Sequence, residues 1–248
     1  LHFSFAQLGV AQLVLKYYPE YRGQSKYSDF VSAVLLMMLS ALIIFSLIFY
    51  LFGDQIGQYF VTQSPEVVNY IGVILLLIWI MSIHQVLVSY TNSSLNIVLP
   101  NFLKEVWLRI LTLSAIVLFA LGLVNFSQFI VLLVSSYAFN LIILLLYLIA
   151  KKVLVLKLFD INIPWKEFKP MIKYALITFL GASGILIVGK VDSLMVTGML
   201  GLTENAIYTT AFYIAVLIEL PKRAVAQIST PIIARAFEAD RLDEVAVI

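Results

Sequence analysis

The sequence predicts an all-α integral membrane protein, a polytopic bundle of about seven helices, and three observations predict it. Of its 248 residues, 62% are hydrophobic and only 12% charged, where a soluble domain carries about 25% charged residues. Mean hydropathy is +1.02. The apolar residues are gathered into long runs separated by short polar punctuation, the arrangement hydrocarbon demands when every backbone amide must be paired within its own helix.

The runs fall at about 1–18, 30–52, 67–91, 102–124, 127–150, 171–200 and 206–236, each near or above the roughly 20 residues needed to cross. The first leads into a basic connection with Lys16, Arg22 and Lys26. The second ends at GDQIGQYFVTQSPEV, which holds Asp54 and Glu66 but no base. The third leads to Lys104 and Arg109, and the fourth ends at a short turn around Asn125. The fifth opens onto the longest connection, with Lys151, Lys152, Lys157, Lys166, Lys169 and Lys173. The sixth ends at LGLTENA, with Glu204 and no base, and the seventh runs through Lys222 and Arg223 to Arg235 and Arg241. Fifteen of the 16 basic residues therefore lie on one set of alternate connections, which places that set in the cytoplasm. The outer loops are too short to hold a catalytic domain.

Composition also excludes functions. A net charge of +2 with no block of like charges gives no footprint for nucleic acid. Cysteine is absent, and His2 and His84 are the two histidines, so no disulfide, thiolate metal site or histidine-rich metal centre is expected. No catalytic motif and no phosphate-cradling glycine loop is present, so neither enzyme activity nor a cofactor is expected. The chain starts at Leu1, inside apolar sequence and without a signal peptide, and reads as an internal piece of a longer polytopic protein.

Polar residues inside the runs are the candidate site. In ILIVGKVDSLMV, Lys190 lies 17 residues after Lys173, about 25 Å along a helix and so in the outer part of the core. Residues i and i+2 point about 200° apart, so Lys190 and Asp192 are not a private salt bridge. Lys190 can snorkel outward. Asp192 has a shorter side chain, and its helix face passes Thr178, Gly181, Ile185 and Val188. It is either a cavity acid or a structural cap or ion pair. In the last run, Glu219 is followed at i+3 and i+4 by Lys222 and Arg223, spacings that permit local pairing. Pro221 can open the helix there, and an excess of base would suit a phosphate-bearing substrate. Gln85, Ser89, Asn92 and Asn96 form a stripe beside His84, readable as interhelical glue or as cavity lining. Ser136, Asn140 and Tyr147 share a face of the fifth run. The connection KKVLVLKLFDINIPWKEFKP, with Trp165, reads as amphipathic and interfacial, its lysines facing anionic lipid or an acidic partner.

The stretch VDSLMVTGMLGLTENAIYTTAFYIA resembles the pattern of the multidrug/oligosaccharidyl-lipid/polysaccharide exporter superfamily at Asp192, Leu200, Gly201, Tyr208 and Ala211. Ala206 stands where that family often has Gly. Pro221, Pro231 and Arg235 fit its eighth helix, KYYPEYRGQSKYSDF its second cytoplasmic loop and SLNIVLPNFLKE its fourth-to-fifth connection. Within the superfamily the chain is similar to polysaccharide biosynthesis proteins of the O-antigen flippase kind. The resemblance implies a MATE-like fold of 12–14 helices in two lobes with alternating access. Residues 1–150 would be a partial first lobe (helices 2–6), 151–170 a cytoplasmic amphipathic connector, and 171–248 the start of the second lobe (helices 7–8). It implies a bacterial inner-membrane flippase for an undecaprenyl-pyrophosphate-linked oligosaccharide, with polysaccharide polymerase machinery as a partner. Arg223, Lys222 and Lys190 would bind substrate, and Asp192 and Glu219 would serve ion coupling or gating. Gln85, Ser89 and Asn92 would line the cavity. A cation-coupled multidrug antiporter and a membrane-embedded polymerase or ligase are the alternatives.

Overall fold

The computed structural model describes residues 6–53, 55, 57–58, 69–155, 163–188 and 190–238. Every regular element among them is helical: α1 (Val10–Tyr21), α2 (Tyr27–Leu51), α3 (Ile71–Ser93), α4 (Val98–Phe102), the π segment π1 (Leu103–Trp107), α5 (Leu108–Ala120), α6 (Phe126–Ala150), α7 (Trp165–Val188), α8 (Val191–Met199) and α9 (Leu202–Glu238). Helices α2, α3 and α6 are each long and apolar enough to cross a membrane. Large apolar side chains such as Leu47, Ile48, Leu113 and Leu146 stay exposed, as lipid-facing positions do in a protein whose solvent on that side is itself apolar.

The chain divides into two compact units, 1–190 and 191–248. In the first, α1 packs on α3, α3 on α6, α6 on α5, and α7 on α1. Val10, Leu13, Val14, Tyr18 and Tyr21 of α1 are buried, the spacing of one helix face. They meet Phe30 and Val34 of α2, Val86, Leu87 and Tyr90 of α3, Leu144 and Leu148 of α6 and Met171 and Ala175 of α7 in one core. In the second unit, α8 packs on α9.

Several boundaries differ from those the sequence predicts, each for a local reason. The run 1–18 is broken before Val10, where Leu8 and Gly9 have φ of 46° and 78°. Glycine accepts that conformation, and a Cβ on Gly9 would collide with the Ala175 carbonyl, so the break lets α1 and α7 approach closely. The run 102–124 begins at Val98 and ends at Ala120, where Gly122, with φ of 69°, donates to Phe119 O. That is the left-handed helix stop glycine favours. Asn125 caps α6 through a capping box with Gln128, both bonds 2.9 Å.

The predicted helix 171–200 is two helices. Helix α7 starts earlier, at Trp165, so the end of the proposed connector is helical. It ends at Val188, and Lys190 N–H donates to Ile187 O in a tight turn before α8. Lys190 and Asp192 thus do not share one helix. LGLTENA is likewise not an open loop: Gly201, at φ of 110°, turns the chain within two residues, and α9 begins at Leu202.

Candidate functional site

In the second unit, the turn at Gly201 folds α9 back on α8 and brings together two members of the sequence pattern. Tyr208 Oη donates to the Asp192 carboxylate at 3.4 Å. Beside it, Ser193 Oγ donates to Asn205 Oδ1 at 2.8 Å. Asp192, Met195, Val196, Met199 and Leu200 line a mainly apolar cavity of about 320 Å³. Glu219 is exposed on α9, and Lys222 and Arg223 follow on the same helix, their side chains outside the described residues. Lys190 is half-buried.

The predicted polar stripe on α3 separates into different environments. Gln85 lines a cavity of about 300 Å³ with His84, Lys104, Glu105, Arg109, Thr112, Tyr137 and Asn140. Ser89 is buried and its hydroxyl donates to the Gln85 carbonyl of its own helix at 3.2 Å. Asn92 is exposed. Asn96 lies past the end of the helix, where its N–H donates to Thr91 O.

Two charged clusters in the first unit are organised by contacts that spacing does not announce. Lys26, in the α1–α2 connection, places Nζ 2.8 Å from Glu167 Oε1 on the first turn of α7, and Tyr21 Oη donates to Glu167 Oε2 at 3.1 Å. The Lys26 bond holds the Glu167 carboxyl below its ordinary range, with Tyr21 assisting, while desolvation acts the other way. Burial first, and the Glu167 bond second, push the Tyr21 phenol up to about 12. Lys16 adds a cation–π contact, 4.0 Å from the Tyr174 ring centroid, worth about 0.5–1 kcal/mol where exposed. The other cluster, Lys104–Glu105–Arg109, lies on the π1–α5 run, with Arg109 Nη2 at 2.7 Å and Lys104 Nζ at 3.4 Å from Glu105. A helix-spacing count shows the Glu105–Arg109 pair at i,i+4, but not the π segment beneath it.

The family model described as polysaccharide biosynthesis protein matches residues 3–237. No curated protein and no solved structure matches the chain.

Proposed function

We propose that this chain, which belongs to the polysaccharide biosynthesis protein family, moves a lipid-linked oligosaccharide, an undecaprenyl-pyrophosphate sugar unit, from the cytoplasmic to the outer leaflet of a bacterial inner membrane. The observation that carries the reading is the family match across nearly the whole chain, on a protein built of apolar membrane helices. The reaction is transport, so the residues have to bind and release a charged headgroup and let two states interconvert.

Pyrophosphate carries several negative charges into a region where charge is expensive. Arg223, Lys222 and Lys190 supply compensating positive charge, with Arg offering the planar fork that phosphate oxygens accept. In this reading Asp192 and Glu219 are the acids that couple an ion or exchange partners between states. The Asp192–Tyr208 contact at 3.4 Å supports that role, because a weak bond at a helix turn is cheap to break and remake. Small and polar residues let helices slide at modest cost, each interhelical bond contributing under about 2 kcal/mol.

Replacing Arg223 with Ala in the host is expected to abolish export of surface polymer while leaving membrane insertion and protein level unchanged. Normal export from that variant would remove Arg223 from the substrate site.

A further inference from the structure

The cavity between α3, the π1–α5 run and α6 lies apart from every residue assigned above except Gln85. In an α-helix, residues five apart point about 140° away from each other, so Lys104 and Arg109 would diverge. Here the chain between them is π-helical, and the Leu108 N–H reaches back five residues to the Leu103 carbonyl. That wider turn brings both bases to one cavity.

The bulge is held from outside. Asn140 of α6 is 1% exposed, and its Nδ2 donates to the same Leu103 carbonyl at 3.2 Å. His84 hydrogen-bonds the Asn140 side chain, and both residues face the cavity. The wall that holds this pair also carries two bases and one acid. The excess of base suits a ligand with negative charge, and the His84–Asn140 pair offers polar atoms beside that charge. Ile80, Met81 and Leu108 complete the lining, which suits an apolar stem beside the headgroup.

We propose that this cavity binds a phosphate-type anion, with Lys104 and Arg109 neutralising it and His84 and Asn140 closing on its hydroxyl or oxygen atoms. Glu105 holds the two bases in place and competes with the ligand for them. The site is independent of the transport reading, because its test is binding and not export. A phospholipid headgroup and a soluble phosphate would present the same chemistry.

The experiment is calorimetric titration of the full chain in neutral detergent with inorganic pyrophosphate and, separately, with a short-chain phosphatidic acid. Saturable binding is expected to weaken at least about tenfold in the double variant K104Q/R109Q. Binding of phosphatidic acid alone would identify a lipid headgroup as the source, binding of pyrophosphate alone a soluble phosphate, and binding of both the shared chemistry. Glu105→Gln is expected to tighten binding severalfold, a gain that a folding defect cannot imitate. Absence of binding to either probe in the parent, or unchanged affinity in both variants, would overturn the site.

Discussion

The Lys26–Glu167 pair and the Lys104–Glu105–Arg109 cluster are made of the same kinds of side chain and differ in what they join. The first links positions 141 residues apart, tying the α1–α2 connection to the start of α7. Its acid also accepts from Tyr21, so both carboxylate oxygens are occupied. The second is contained within a few residues of one helical run, carries one base more than it has acids, and borders a cavity. The comparison teaches that a membrane protein uses charge in two ways. A satisfied cluster between distant segments is a fastener, and an unbalanced one beside a cavity is a place for something else to bind.

The difference can be broken most forcefully at the fastened side. Gly9→Val adds a Cβ against the Ala175 carbonyl at a φ of 78°, and is expected to destabilise the chain by more than about 2 kcal/mol. Thermal unfolding in detergent would show this as a lower midpoint, with pyrophosphate affinity measured below the transition unchanged. Asn140→Leu removes the outside support of the π segment and should cost about 1–3 kcal/mol. Unlike Gly9→Val, it should also abolish anion binding, because the two bases no longer converge.

Smaller effects sharpen the contrast. Glu167→Gln is expected to lower thermal stability slightly, and high salt should reduce the parent's stability by a similar amount, since exposed pairs are screened. The pH dependence follows from the two shifts. Glu167 is depressed, so its contribution is full above the ordinary carboxylate range and is lost as pH falls through its lowered value. Tyr21 is raised, so its contribution is full below its ordinary value and is lost as pH rises toward about 12. The fastener therefore holds across neutral pH and loosens at both extremes, which unfolding midpoints of the parent and of Glu167→Gln across pH would reveal as converging curves. Smallest of all is Arg109→Gln, whose side chain is 74% exposed. It should leave the unfolding midpoint nearly unchanged while weakening the phosphate probe.

Helix identity was legible in the sequence because apolar runs of membrane length leave few alternatives. The edges were less so. The turn around Asn125 was legible, but Gly122, the glycine that stops the preceding helix, lies inside the predicted run 102–124. The break before α8 was not readable from apolar content, because ILIVGKVDSLMV is apolar on both sides of it. The Asp192–Tyr208 contact was not read from the sequence, which named both residues only as members of one pattern; they meet across a turn that Gly201 makes possible. Glu167 looked like one acid in a lysine-rich connection, since its partners Lys26 and Tyr21 lie far away in sequence. Lys104 and Arg109 read as loop charges because a π segment leaves no signature in composition.

Transport across the bilayer is the centre of the account, and the leaflet on which substrate waits tests it most directly. With the gene encoding this chain deleted in its host, lipid-linked sugar units of normal length are expected to accumulate on the cytoplasmic leaflet. Single units reaching the outer leaflet without being polymerised or ligated, or unchanged lipid intermediates with raised drug sensitivity, would contradict it.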